Sequence, residues 1–137
     1  MRLVIDANVF FAALLRDSVS RWLIIDRRIR LYAPAFLKTE FMKYASELKK
    51  RSGLSDEKFT RLFYTLTKRI QFVPDESIML YFEAAKTLIN DPKDVPYVAC
   101  ALAVNAGLWT QYKNLKNDRV NCIGTTALYE WLYDVKS

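Results

Sequence analysis

An α/β fold, with a parallel sheet covered by helices on both faces, is predicted for this chain by three observations. Short apolar runs alternate with helical patterns along its whole length. That order suits a parallel sheet whose strands are buried on both sides. The runs, such as Leu3-Val4-Ile5, are too short for helices and long enough for buried strands. An acid, Asp6, follows the first run directly, at the strand end where open α/β sheets build their sites.

The elements follow in order. Leu3–Ile5 reads as the first strand and Asn8–Leu15 as one or two helical turns. Ser18 or Ser20 is a candidate cap for a second helix through Asp26. Arg30–Ala33 is the second strand. Pro34 is then placed at the start of a long helix, a position proline favours. Its apolar stripe is Leu37, Phe41, Tyr44, Ala45 and Leu48, and Gly53 ends it. Ser55 with Asp56-Glu57 opens the next helix, closed by Lys68-Arg69. Ile70–Val73 is a third strand stopped by Pro74, and Asp75–Ile89 one amphipathic helix. Asn90-Asp91-Pro92-Lys93 is a turn. Val95–Ala106 is apolar almost all round, as a buried helix is, with Gly107 as its stop. Leu108–Thr110 and Val120–Ile123 are short strands, and Thr125 or Thr126 caps a last helix through Val135.

Composition removes much chemistry. The 137 residues are 52% apolar, enough for the core of one domain, and include no histidine. Imidazole bases, Ser-His or Cys-His pairs and the common zinc sites are therefore excluded. Three glycines, Gly53, Gly107 and Gly124, are too scattered to cradle a phosphate. Cys100 and Cys122 lie in apolar runs and read as small buried hydrophobes rather than a disulfide. With neither a signal-peptide pattern nor an uncharged membrane-length stretch, a cytoplasmic protein is expected. Carboxylates, with or without metal, are the main catalytic groups left. A net charge of +6 on a surface around an acidic site suits a phosphodiester substrate. Clusters such as Lys49-Lys50-Arg51 and Lys68-Arg69 also suit helix ends, where cations complement the macrodipole.

Three acids are candidates for one site: Asp6, Glu40 and Asp94. Brought together they would repel one another unless a cation joined them, and hard ions such as Mg²⁺ take oxygen ligands. Each has a plainer explanation. Asp94 stands where a helix N-cap belongs. Glu40 could be a surface helix residue, although it borders the apolar stripe, where an unpaired carboxylate is costly. Asp6 extends a buried strand and needs a partner; Asn8 is near enough to orient it.

These residues match a known pattern. Val4-Ile5-Asp6-Ala7-Asn8-Val9-Phe10, Pro34–Phe41 with Thr39-Glu40, and Asp91-Pro92-Lys93-Asp94-Val95-Pro96-Tyr97-Val98-Ala99 resemble the motifs of PIN-domain proteins. Leu108-Trp109-Thr110, followed by Lys113 and Leu115, looks like that family's last motif. The resemblance runs in the right order over nearly the whole chain, and is nearest to prokaryotic VapC-like toxins. It implies a single PIN-like domain over residues 1–137, a three-layer α/β/α sandwich with a five-stranded parallel sheet of order 3-2-1-4-5.

The resemblance also implies an Mg²⁺- or Mn²⁺-dependent ribonuclease with Asp6, Glu40 and Asp94 as metal ligands and catalytic acids. Asn8 and Thr110 would support them. Where the family usually carries a fourth acid this chain has Tyr112. A phenol, with an unperturbed pKa of ~10, is a poor ligand for a hard cation. Asp118 and Asp91 are the nearby acids that would have to substitute. RNA, an antitoxin protein and a second copy of the chain are the implied partners, without a membrane. A PIN domain that binds RNA or protein without cutting, and a small carboxylate-metal phosphatase, remain as alternatives.

Overall fold

The computed structural model describes residues 1–16, 18–111, 115–116 and 119–133. Its centre is a sheet of five parallel strands: β1 (Arg2–Ile5), β2 (Arg30–Pro34), β3 (Ile70–Val73), β4 (Gly107–Trp109) and β5 (Cys122–Ile123). Their order is β3-β2-β1-β4-β5. The first strand is therefore central. Leu3 lies opposite Leu31 on one side and Gly107 on the other. Val4, Ile5, Leu31, Ala33, Leu108 and Trp109 are buried, as strands covered on both faces require.

Among the described residues, eight α-helices cover the sheet: α1 (Ala7–Leu15), α2 (Ser18–Ile24), α3 (Phe36–Ser52), α4 (Asp56–Thr67), α5 (Asp75–Ile78), α6 (Phe82–Leu88), α7 (Val95–Val104) and α8 (Thr125–Tyr133). The chain steps outward from β1 to β3 and then crosses back to β4. Right-handed crossovers in opposite directions put their helices on opposite faces. α1, α3 and α4 accordingly pack together, while α5, α6 and α7 form a separate group. Aromatic rings fill the first group, with Phe41 stacked on Phe63 at 4.2 Å between centroids.

Several boundaries differ from the sequence expectation. Pro34 ends β2 instead of starting α3. It pairs with Val73, and the Ala35 amide donates to the Val73 carbonyl at 3.0 Å. Its absent N–H would point past the last β1 pair, Val4 with Tyr32, so the ladder loses nothing there. The second helix ends at Ile24, and Asp26 belongs to the turn after it. Ser20 lies inside α2, buried against Thr125 rather than capping. Thr125 is itself inside α8, and its hydroxyl accepts from the Trp109 indole at 3.0 Å.

The long helix expected at 75–89 is broken by a 3₁₀ turn at Met79–Tyr81. The tighter turn re-phases the apolar stripe, so Ile78, Ala85 and Leu88 all reach the core. Asn105, at φ 54°, ends α7, which leaves Gly107 free to begin β4. There a side chain would press on the Asn121 carbonyl and Leu3, each 3.1 Å from an added Cβ. Glycine at that position serves close strand approach, not a helix stop. Cys100 is buried as expected, but Cys122 is exposed because it opens a two-residue strand at the sheet edge. Ser55 caps α4 as read, accepting from the Lys58 amide, and Gly53 closes α3 at φ 71°. Among the described residues no helix is long and apolar enough to cross a membrane.

Candidate active site

β1 and β4 are neighbours whose connections leave in opposite directions, and a crevice opens beyond their carboxyl ends, as such switch points require. Asp6 stands there, 3% exposed. Its amide donates to the Trp109 carbonyl at 3.0 Å, which prolongs the ladder by one residue. Although Asp6 is at the N-cap of α1, its carboxylate caps no amide. Instead Oδ2 accepts from the Thr110 hydroxyl at 2.8 Å. Two strand ends separated by 104 positions thus fix one carboxylate.

Glu40 and Asp94 reach the same opening from helices. Glu40 lies in the second turn of α3 and is half-buried, as its place beside the apolar stripe implied. Its Oε1 accepts from the Tyr97 hydroxyl. Asp94 occupies the N-cap position of α7, yet its side chain makes no capping bond. The plain capping explanation is therefore not the one the structure adopts. Pro96 sits in the first turn, where its missing N–H costs nothing.

Tyr97 is the residue the sequence reading passed over. It is 2% exposed and borders the cleft that the three acids line. Burial, then the bond to Glu40, then the charges of Glu40, Asp6 and Asp94 push its phenol far above the usual tyrosine range. It stays protonated and is a permanent donor. A signal was present: Tyr97 is the one hydroxyl-bearing residue in an otherwise apolar helix, one turn after Asp94. A buried tyrosine needs a partner for its O–H.

The acids line an open cleft of about 530 Å³. Asp6, Asn8, Glu40, Asp94 and Tyr97 all border it, and so do Asp91 and Lys93. Asn8 is exposed, whereas Thr110 is buried beneath Asp6 and acts on that carboxylate rather than on the cleft. Of the two acids named as substitutes for a fourth ligand, Asp91 does border the cleft, with Oδ1 accepting from the Lys93 amide at 3.0 Å. Asp118 and Tyr112 lie outside the described residues.

Among the described residues, no three acidic or cysteine side chains are grouped closely enough to grip one ion between them. The cleft offers hard oxygen donors spread around a wet opening. That donor set fits an ion such as Mg²⁺, which keeps several of its waters and takes one or two carboxylates directly. It does not fit a closed, all-protein cage.

The fold agrees with known proteins. Residues 4–127 match the PIN domain family, and the chain belongs to it. Its structure is similar to a chain of VapBC2 from Rickettsia felis, a complex solved bound to a DNA fragment from their promoter. The TM-score is 0.65 at 16% identity, over 90% of this chain and 98% of that one. At that identity the likeness is one of fold. No curated protein matches the chain in sequence.

Proposed function

We propose that this PIN domain is a divalent-metal-dependent endoribonuclease of the VapC-like toxin class, with Asp6, Glu40 and Asp94 as its catalytic acids and metal ligands. The observation that carries this reading is the meeting of three acids from β1, α3 and α7 on one cleft, around a tyrosine that feels all three charges. Mg²⁺ or Mn²⁺ held there would neutralise a phosphate oxygen and supply a more acidic water. The chain does the rest. Thr110 holds Asp6 and Tyr97 holds Glu40, so neither carboxylate has to be ordered when substrate arrives. In this reading Asp94 accepts the proton, and Asn8, at the rim, donates to phosphate.

RNA is the substrate, an antitoxin the natural inhibitor, and the cytoplasm the compartment. The two-component VapBC2 neighbour supports an antitoxin. A homodimer is supported by exposed apolar residues on α3 and α4, with Met42 74% and Tyr64 59% exposed. Light scattering at tens of micromolar tests it, and a monomer at that concentration rejects it.

One observation favours a second reading, a PIN domain that binds RNA without cutting. Tyr112 stands where the family usually has an acid. The deciding experiment follows cleavage of single-stranded RNA with Mn²⁺, with Mg²⁺ and with EDTA, beside calorimetric Mn²⁺ titration of wild type and Tyr112→Asp. Cutting that needs the ion, and tighter Mn²⁺ binding in the variant, are expected. Cutting in EDTA rejects the metal mechanism. RNA binding without cutting in either protein selects the second reading.

A further inference from the structure

Beyond the acids, the cleft continues. A second opening of about 650 Å³ is lined by Ala12, Leu15, Arg16 and Arg51, and three of these residues, Ala12, Leu15 and Arg51, border the acidic cleft as well. The two form one trench. It runs along α1 from Asp6 at the helix start to Arg16 at its end, over nine helical residues or about 14 Å of axis. Its lining changes on the way, from five acids with Lys93 among them, the last being Glu47 one turn before Arg51 on α3, to the guanidiniums of Arg51 and Arg16 over an apolar floor.

Four other arginines are spent on the protein itself. Arg2 donates to the Val104 carbonyl, Arg28 to Asp26, and Arg61 to Glu57. Arg21 donates to the carbonyls of Ala13, Leu14 and Leu15, so it already neutralises the carboxyl end of α1. Arg16 is thus not needed as that helix's terminal cation. At the end of α3, Lys49 pairs with Asp56 and the Gly53 amide caps Lys50. Arg51 is exposed beside them. Among the described residues, no ion pair or side-chain hydrogen bond engages Arg16 or Arg51.

We infer that Arg51 and Arg16 form a backbone-binding subsite that holds phosphates of single-stranded RNA flanking the bond at the acids, and so fix the direction in which the strand crosses α1. This rests on the ribonuclease reading for its substrate. Guanidiniums present paired donors that match phosphate oxygens. Placed along a trench, they hold the strand without reading its sequence.

The test measures binding of a fluorescent single-stranded 12-nucleotide RNA in EDTA by anisotropy, at several salt concentrations, with Mn²⁺-dependent cleavage followed separately. Wild type is compared with R16A/R51A and with a charge-matched control at the other end of the sheet, R27A/R30A. Both controls and variants are exposed, and circular dichroism verifies folding. Loss of two phosphate contacts should weaken binding about 10-fold or more and lower the salt slope by about 1.4, at ~0.7 per single-strand contact. The control should change neither, and R16K/R51K should restore most of the affinity. Equal losses in the trench variant and the control, or none in either, overturn the subsite. Wild type that cuts RNA while R16A/R51A binds normally overturns the subsite alone. Wild type that neither binds nor cuts RNA overturns both proposals.

Discussion

Asp6 and Asp26 are both carboxylates beside a strand of the same sheet, at opposite ends of it. Asp26 precedes β2 and is fully answered by the protein. It accepts from the Arg28 amide at 2.9 Å, from Arg28 Nε and Nη2 at 3.0 and 2.7 Å, and from the Tyr133 hydroxyl at 3.1 Å. The guanidinium also lies over the Tyr133 ring, 4.9 Å from its centroid. Asp6, more deeply buried, accepts from the neutral Thr110 hydroxyl and shares its cleft with four further acids, Glu40, Glu47, Asp91 and Asp94. The contrast separates an acid paired within the fold from the acids proposed as catalytic. Four bonds commit the charge of Asp26 to the fold, whereas Asp6 opens on a cleft that other acids line.

The largest expected effect breaks that contrast directly. Asp6→Asn or Asp94→Asn should lower RNA cleavage by roughly 1000-fold, about 4 kcal/mol of transition-state stabilisation. Asp26→Asn should leave cleavage within about 2-fold and lower the melting temperature instead. A steady-state assay and a thermal melt on the three proteins check both halves; equal loss of cleavage in all three would erase the distinction.

Tyr97→Phe comes next. Removing a hydrogen bond to a charged group costs about 1.5–3 kcal/mol, so a fall of ~10- to 100-fold in kcat is expected, with weaker Mn²⁺ binding. A merely structural tyrosine would alter the melt and leave Mn²⁺ affinity unchanged. Thr110→Val should produce a smaller loss, about 10-fold, because Asp6 is also placed by its backbone. Thr110→Ser, which keeps the hydroxyl, should recover most of it.

The smallest effect is in pH. The Arg28 hydrogen bond holds the Asp26 carboxyl well below its ordinary value of 3.8. A depressed folded value means that this carboxylate stabilises the fold above the unfolded value and loses that contribution as pH falls toward the folded one. Melting temperature should therefore drop through the acid range, and Asp26→Asn should flatten that limb. An unchanged acid limb in the variant would show that Asp26 contributes nothing there.

The strands, and the meeting of Asp6, Glu40 and Asp94 on one cleft, were legible because burying charge is expensive. A carboxylate at the end of Leu3-Val4-Ile5, or beside the Leu37 and Phe41 stripe, invites a question that an exposed one does not. Sheet order was legible only through the family resemblance, since periodicity says nothing about which strands pair. Pro34 misled because its helix-start preference is local, while its strand role depends on where the β1 ladder stops. Asn105 and Gly107 were confused because a left-handed residue and a close strand approach both call for small or turn-forming residues. Tyr97 stayed hidden in an apolar helix because its importance comes from Glu40, 57 positions away.

The pairing of Leu3 with Gly107 carries a consequence for how the molecule is made. The first strand synthesised is the central one, and half of its partners come from the last third of the chain. Such long loops are slow to close and give high contact order. A growing chain that has reached Asp94 already holds all three acids, yet it lacks β4 and the hydroxyl that aligns Asp6. The alignment of Asp6 is therefore completed late in synthesis, only when both of its neighbouring strands exist.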